Sequence, residues 1–163
     1  MKIEKACFGA GCFWGVQYVF ESFPGIKKTK VGYMGGKMKN PSYEDVCTDE
    51  TGHAEVLYIE FNPDKISYEK LLEIFWKCHD PTTKDRQGPD IGSQYRSAIF
   101  YYNNQQKKSA EKSKKDYEKV LGKKITTSIE PAQEFYDAEE YHQEYYKKKN
   151  GVPYCHIIPK ISI

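Results

Sequence analysis

The chain has 163 residues and a formal net charge of +2, from 25 basic and 23 acidic side chains. This length suits one domain over residues 1–163, and so balanced a charge argues against a nucleic-acid partner. The sequence has no apolar run of 18 residues and no apolar segment near its N-terminus, so we expect a cytoplasmic protein with no membrane partner.

Taken in chain order, the apolar patterns first predict four strands and two helices. The strands cover residues 3–8, 26–33, 53–61 and 94–102, and the helices cover residues 12–23 and 67–78. Their order is strand, helix, strand, strand, helix, strand. This order is typical of a ferredoxin-like βαββαβ two-layer sandwich of the α+β class. Two polar segments inside it, residues 37–52 and 82–93, are predicted as long loops.

The remaining residues predict a helical and extended C-terminal addition to this sandwich. A Lys- and Glu-rich helix over 104–121 ends at Gly122, and a short strand over 125–130 follows it. A helix over 138–149 and an extended apolar tail from Val152 complete the chain. The lysines of the first of these helices are typical of a solvated face.

The number and spacing of the cysteines argue against a disulfide-rich secreted protein and against a structural zinc site. Their number is odd and their spacing unpaired, unlike the framework of a small disulfide-rich secreted protein. No Cys-x-x-Cys pair occurs, and Cys78 and His79 are adjacent, which disfavours structural zinc. We therefore expect no metal and no bound cofactor.

The stretch Gly9–Gly15 places a cysteine, Cys12, between a predicted strand and a predicted helix. Unpaired backbone N–H groups and the positive end of the helix dipole stabilise a thiolate at such a position. Cys12 is therefore a candidate nucleophile. The alternative is a small buried side chain in a turn shaped by glycines, with Phe13 and Trp14 in the core.

A carboxylate on an apolar strand face is the second candidate. The period of two in the strand over 53–61 places Glu55 on the same face as Leu57, Ile59 and Phe61. Burial among apolar groups raises the pKa of a carboxyl and keeps it protonated at neutral pH, as an acid catalyst requires. The alternative is a strand end whose face is solvated.

These groups, with loop tyrosines Tyr43 and Tyr95 and the aromatic pair beside Cys12, suit the reduction of a sulfoxide. A sulfoxide sulfur is a poor electrophile until its oxygen is protonated or strongly hydrogen-bonded. A thiolate can then attack the sulfur, and the cysteine becomes a sulfenic acid. A second thiol converts that product to a disulfide.

Seven segments resemble, in order, motifs of the class A peptide methionine sulfoxide reductases, which act on the S epimer of the sulfoxide. These segments are Gly11–Gly15, Gly32–Gly36, Asn40–Tyr43, Thr51–Glu55, Phe75–Pro81, Gln87–Ser97 and Glu139–Gln143. The resemblance implies a single catalytic domain in which Cys12 is the nucleophile. It implies that Glu55 protonates the sulfoxide oxygen and that Tyr43 and Tyr95 hydrogen-bond to it.

The same resemblance implies how the substrate is held. Phe13 and Trp14 would enclose the methyl group on the sulfur. Asp90 would support the pocket and contact the substrate backbone. The implied role of the protein is the repair of oxidised methionine, free or in proteins.

The sequence does not decide which thiol reduces the sulfenic acid of Cys12. The family often carries a second cysteine in a flexible, glycine-rich tail, whereas here Cys155 lies in an apolar tail with a single glycine. Cys155 is the first candidate among the cysteines and Cys47 a less favoured one, and direct attack by an external thiol is the alternative to both. Thioredoxin and glutaredoxin with glutathione are the expected reductants. Cys7 and Cys78 are expected to be structural.

Two other classes of function fit part of the pattern. A cysteine hydrolase or acyltransferase would pair Cys12 with a histidine base. A redox-sensing or binding module would use the aromatic residues as a peptide groove. Because the sulfoxide chemistry uses a carboxylic acid, structural roles are expected for His53, His79 and His142.

Overall fold

The computed structural model describes residues 2–154 and 156–161, a mixed α+β fold built on one central sheet. The described strands are β1 (Glu4–Ala10), β2 (Ile26–Met34), β3 (Ala54–Phe61), β4 (Arg86–Gln87), β5 (Asp90–Ile91), β6 (Ser97–Tyr101), β7 (Ser128–Pro131) and β8 (Tyr136–Asp137). The described α-helices are α1 (Phe13–Glu21), α2 (Tyr43–Cys47), α3 (Tyr68–Cys78), α4 (Asn104–Leu121) and α5 (Tyr145–Lys149). Two 3-10 turns cover Ser93–Tyr95 and Glu140–His142.

The central sheet has the strand order β7-β6-β1-β3-β2-β8. Strand β1 pairs antiparallel with both β3 and β6, β2 pairs antiparallel with β3, and β7 adds in parallel to β6. The last five residues of β1, Cys7 among them, are fully buried, as expected for a central strand covered on both faces. A separate two-stranded hairpin is formed by β4 and β5.

The two faces of the sheet bury different side chains. One face packs against α1, α3 and α4, and its core includes Phe8, Leu57 and Phe75. The apolar residues of α3 recur at helical spacing and lie in this core. On the other face, Val56 and Phe100 belong to a second, smaller apolar cluster. No helix among the described residues is long and apolar enough to cross a membrane.

The strongest periodic patterns are confirmed by the structure. The helix predicted over 104–121 has the same bounds in the structure, and Gly122 ends it with a left-handed φ of +67°. Ser67 caps α3 at the start of the predicted helix, because its side chain accepts a hydrogen bond from the Lys70 N–H. The first three predicted strands lie within one or two residues of β1, β2 and β3.

Three local predictions before residue 104 are wrong. The loop over 37–52 contains helix α2, which begins at a capping box formed by Ser42 and Asp45. The loop over 82–93 contains the β4-β5 hairpin, whose turn uses Gly88 at φ +56°. The strand predicted from residue 94 begins only at Ser97, after a 3-10 turn.

The C-terminal helix predicted over 138–149 is broken into a 3-10 turn and α5. Glu144 lies between them with φ +52°, and its N–H donates to the side chain of Gln17 at 2.6 Å rather than to a helix carbonyl. A contact across 127 residues of sequence therefore outweighs the local helical pattern. The short strand predicted over 125–130 is shifted to β7.

Candidate active site

Cys12 is the N-cap residue of α1, two residues after the end of β1. Gly11 makes the turn with φ +92°, and a side chain there would overlap Gln87. The Cys12 carbonyl accepts the first N–H groups of the helix, from Gly15 at 3.2 Å and Val16 at 3.4 Å. Cys12 lies at the start of the helix, as the sequence predicts, and it is half-buried.

Several groups act on the Cys12 thiol in opposite directions. Burial raises its pKa most, and the negative charge of Glu55 raises it next. Hydrogen bonds from the backbone of Trp14 and Gly15 lower the pKa, while the charge of Asp90 raises it. The helix N-terminus alone therefore does not set the reactivity of Cys12. Protonation of Glu55 removes the largest charge that opposes the thiolate.

Glu55 is 1% exposed on β3, on the face whose neighbours Leu57, Ile59 and Phe61 belong to the main core. Its shared face with these residues is confirmed. Its carboxyl accepts the Phe13 N–H at Oε1 (3.2 Å) and the Gln94 amide at Oε2 (2.9 Å).

Burial raises the pKa of Glu55 to about 7, although the hydrogen bonds from Gln94 and Phe13 lower it. The charge of Asp90 raises it further. Near neutral pH a large fraction of Glu55 is therefore protonated, and this acid is hydrogen-bonded to the residue that follows Cys12.

Tyr43 and Tyr95 share one place in the site. Tyr43 begins α2, and its N–H donates to Glu139 Oε2 at 2.9 Å. Tyr95 ends a 3-10 turn, and its side chain lies beside that of Tyr43. Burial raises the pKa of both hydroxyls, and the nearby charge of Glu55 raises it next. Both hydroxyls therefore stay protonated and can donate hydrogen bonds beside Glu55.

Asp90 reaches the same site from the β4-β5 hairpin. Its charge raises the pKa of Cys12, Glu55 and Tyr95. Both of its carboxylate oxygens accept the Tyr154 hydroxyl, at 2.9 and 2.8 Å. The hydroxyl of Tyr154, in the C-terminal tail, is thus bound to the carboxylate that the family resemblance assigns to the substrate backbone.

The aromatic pair after Cys12 divides between core and surface. Phe13 is 1% exposed and lies against Tyr33, with 5.7 Å between ring centroids. Trp14 is half-buried and stacks on Tyr145 at 3.7 Å and 6°. Its indole N–H donates to His142 Nδ1 at 2.9 Å.

Comparison with known proteins assigns the chain to a family. A family model described as peptide methionine sulfoxide reductase matches residues 4–162. The chain belongs to this family. It is 53% identical over 162 residues to the peptide methionine sulfoxide reductase MsrA of Sulfolobus acidocaldarius, over 98% of this chain and 92% of that one. The chain is therefore an enzyme that reduces methionine sulfoxide.

Solved structures place the reductase in the same fold. The reduced form of Mxr1 from Saccharomyces cerevisiae superposes with a TM-score of 0.92 at 38% identity, over 98% of this chain and 93% of that one. Mxr1 in complex with Trx2 superposes with a TM-score of 0.68 at 31% identity, over 98% and 91% of the two chains.

Two residues that contact the candidate catalytic side chains are not predicted by the sequence. Gln94, predicted in a strand, lies in a 3-10 turn and holds the Glu55 carboxyl. Glu139 accepts the Tyr43 N–H and the Tyr33 hydroxyl. Both residues lie in segments that resemble family motifs, but neither their spacing nor the periodicity of the sequence indicates which residues they contact.

The histidines predicted to be structural make local hydrogen bonds. His53 accepts the Gly36 N–H at Nδ1 and donates from Nε2 to the Met38 carbonyl. His79 Nδ1 lies 2.6 Å from the Phe75 carbonyl, and burial lowers the pKa of this ring to about 3. The rings of His53 and His79 are therefore hydrogen-bonded to the backbone of other residues and not to Cys12.

The candidate recycling thiols of the reductase differ in what the structure describes. Cys155 lies outside the described residues. The residue after it, His156, is 4% exposed, and its Nε2 donates to the Ala10 carbonyl at 2.6 Å. Cys47 is an exposed free thiol that accepts the Gln94 amide at 3.5 Å. Cys7 and Cys78 are buried free thiols, as expected for structural residues.

Proposed function

We propose that this reductase acts on the S epimer of methionine sulfoxide, free or in oxidised proteins, and that it works in the cytoplasm as one catalytic domain over residues 1–163. We also infer a ferredoxin-like core. The strand order β6-β1-β3-β2, with α1 after β1 and α3 after β3, supports this assignment.

In the proposed first step, the Cys12 sulfur attacks the sulfur of the sulfoxide while Glu55 protonates the sulfoxide oxygen. The S–S bond of this adduct and the S–O bond of the substrate then break as the protonated oxygen bonds to the Cys12 sulfur, so that Cys12 becomes a sulfenic acid and the substrate leaves as the thioether. One thiol and one sulfoxide thus give one sulfenic acid and one methionine, without a further oxidant or reductant. Tyr43 and Tyr95 hydrogen-bond to the oxygen as its charge develops.

The observation that carries this proposal is the buried carboxyl of Glu55, whose pKa is about 7, hydrogen-bonded to the residue after the thiol. An acid of this kind supplies a proton at neutral pH. Because loss of that proton places a negative charge near the thiol, the same group also controls the pKa of Cys12.

Substrate binding is assigned to the residues around the thiol. Phe13 and Trp14 enclose the S-methyl group, and Asp90 contacts the substrate backbone. The contact between Asp90 and Tyr154 implies that a peptide substrate displaces the tail hydroxyl before it reaches this carboxylate.

Recycling is assigned to a second thiol followed by an external reductant. The thiolate of Cys155 attacks the Cys12 sulfur, an S–S bond forms, the S–O bond breaks, and the oxygen leaves as water. Cys47 is the alternative attacking thiol, supported by its link through Gln94 to Glu55. Thioredoxin is the proposed reductant, since the relative Mxr1 has been crystallised with Trx2; glutaredoxin with glutathione is the second candidate.

One turnover without reductant tests the proposal. The enzyme is mixed with methionine S-sulfoxide, methionine is quantified, and the protein is analysed by intact and peptide mass spectrometry. We expect one methionine per enzyme and a 12–155 disulfide. A 12–47 disulfide or a persistent sulfenic acid would assign the other recycling routes. Failure to form methionine, or turnover of an activated ester without reductant, would favour a cysteine hydrolase instead.

A further inference from the structure

His156 attaches the C-terminal tail to the turn that carries the proposed nucleophile. Its side chain is 4% exposed, and its Nε2 lies 2.6 Å from the Ala10 carbonyl oxygen. Because a carbonyl can only accept, Nε2 carries a proton and donates it to this bond. Burial lowers the pKa of the ring and so favours its neutral form. Ala10 ends β1, so this bond fixes the tail two residues before Cys12.

The start of α1 has room for this ring because two residues there lack side chains. A Cβ on Gly15 would overlap Nδ1 of His156, and one on Gly11 would lie 3.3 Å from Nε2. Gly11 is also required by its φ of +92°, but Gly15 lies inside the helix, where glycine is the least favourable residue after proline. Contact with the imidazole therefore accounts for a glycine at position 15.

Both covalent neighbours of the candidate recycling thiol bind to this site. Cys155 itself lies outside the described residues. Before it, the Tyr154 hydroxyl donates to the Asp90 carboxylate, whose charge raises the pKa of Cys12. After it, His156 bonds to the end of β1. The tail is thus held on both sides of Cys155 by contacts near Cys12.

These two contacts differ in how they respond to a substrate. Tyr154 is 62% exposed and binds the carboxylate that is assigned to the substrate backbone, so a peptide substrate displaces it. His156 is buried and bonds to a backbone carbonyl to which no substrate contact is assigned. The second contact therefore remains in place while the first reaction step occurs.

We propose that His156 is a positioning residue for recycling, whose bond to the Ala10 carbonyl keeps the tail thiol near Cys12 when the sulfenic acid forms. This inference rests on the proposed function, in which the thiol of Cys155 attacks the Cys12 sulfur. Holding the tail at this point raises the effective concentration of that thiol at the sulfenic acid. His156 acts through Cys155 and does not itself touch the reacting atoms.

The test follows both steps of one turnover without reductant. Methionine and the 12–155 disulfide are quantified at successive times after the enzyme is mixed with methionine S-sulfoxide. We expect His156→Leu to form methionine within about twofold of the wild-type rate but to form the disulfide about fivefold more slowly, the size expected for one lost hydrogen bond. The sulfenic acid should accumulate in this variant, where dimedone traps it.

Two variants separate the hydrogen bond from the packing of the ring. His156→Gln keeps an N–H donor, so its disulfide should form within about twofold of the wild-type rate. Ile157→Ala is the matched control at the next residue, which is 67% exposed, and it should leave both rates unchanged.

A Cys155→Ser background shows whether His156 acts through the tail thiol. Dithiothreitol must then reduce the Cys12 sulfenic acid directly, so adding His156→Leu should change the turnover rate less than about twofold. If His156→Leu does not fold, Gly15→Ala displaces the ring instead, and it should slow the disulfide relative to methionine by a similar factor.

Three outcomes would overturn the inference while methionine formation still stands. They are disulfide formation at the wild-type rate in His156→Leu, an equally slow disulfide in His156→Gln, and a wild-type enzyme that forms methionine but no 12–155 disulfide. Slowing by the same factor in the Cys155→Ser background would also overturn it. A wild-type enzyme that forms no methionine would contradict the proposed function itself, and the inference with it.

Discussion

At the scale of single residues, the site depends on where one proton resides. The charge of Glu55 is the second-largest cause that raises the pKa of Cys12, after burial. A thiolate beside a protonated carboxyl therefore avoids the repulsion that a thiolate beside a carboxylate would meet. In the proposed mechanism the productive pair holds one proton, on Glu55, and Glu55 donates this proton to the sulfoxide oxygen.

Replacing the nucleophile tests this arrangement directly. We expect Cys12→Ser to lower the rate of methionine formation in a single turnover by about a thousandfold or more, because a hydroxyl is a far weaker nucleophile than a thiolate. Cys47→Ser, at an exposed cysteine, should form methionine at the wild-type rate in the same assay. A Cys12→Ser enzyme within tenfold of wild type would refute the covalent mechanism.

The shared proton also predicts a pH profile. As pH rises, the thiolate fraction of Cys12 grows tenfold per pH unit, and above about 7 the acid fraction of Glu55 falls by the same factor. We therefore expect the single-turnover rate of the wild-type enzyme to rise up to about pH 7 and then level off. In Glu55→Gln the rate should be much lower yet keep rising above pH 7. A plateau in both enzymes would remove Glu55 as the acid.

The sequence predicts some of these residues and misses others for a physical reason. Cys12 and Glu55 are recognisable because each is an unusual residue type for its local pattern: Cys12 is a thiol in a glycine-rich turn, and Glu55 is a carboxyl on an apolar strand face. Gln94 and Glu139 act through hydrogen bonds to residues 39 and 96 positions away. Contacts over such separations leave no local pattern in the sequence.

At the scale of elements, the same contrast appears between the core and the C-terminal part. Strand β3 and helix α4 follow their periodicity, because Leu57, Ile59 and Phe61 of β3 and Ala110 of α4 pack into the main core. The segment after β8 follows its contacts instead. Gln143, for example, bonds through its side chain to both the N–H and the carbonyl of Val31 on the edge of β2.

The C-terminal tail also packs against helix α1. Gly15 lies so close to the His156 ring that a methyl group there would overlap it. Alanine exceeds glycine in helix propensity by about 1 kcal/mol, so propensity alone predicts that Gly15→Ala is stabilising. We expect the opposite, a loss of about 1–3 kcal/mol in the free energy of unfolding, because the tail must be displaced.

The matched background for that prediction is His156→Ala. Once the ring is removed, Gly15→Ala should become stabilising by about 0.5–1 kcal/mol in denaturant unfolding. Limited proteolysis should cut the tail of Gly15→Ala faster than that of the wild-type enzyme. The same sign of effect in both backgrounds would mean that His156 does not hold the tail beside α1.

At the scale of the whole molecule, the site exists only when distant parts of the chain are folded together. Its groups come from the β1-α1 turn, strand β3, helix α2, the β4-β5 hairpin and the turn before α5. Burying the Glu55 carboxyl at their centre is therefore linked to the stability of the fold. A buried acid whose pKa is raised stabilises the folded state only while it is protonated.

This linkage predicts how stability changes with pH. The pKa of Glu55 rises from an ordinary 4.5 to about 7 on folding. Its ionisation therefore lowers the free energy of unfolding by about 3 kcal/mol, and this loss develops as pH rises from about 4.5 through 7. The buried histidines His79, His142 and His156 act in the opposite direction. Their pKa values are lowered, so their contribution is lost as pH falls below 6.5.

Comparing the wild-type enzyme with Glu55→Gln isolates the carboxyl, because the histidines are common to both proteins. Glutamine resembles the protonated acid and does not titrate, and Gln94 can rotate its amide to pair with it. We expect similar free energies of unfolding at pH 5 and a variant more stable by up to about 3 kcal/mol at pH 8, measured by urea denaturation. A difference that is constant from pH 5 to 8 would show that Glu55 is ionised in the folded enzyme throughout, and it could not then serve as the acid.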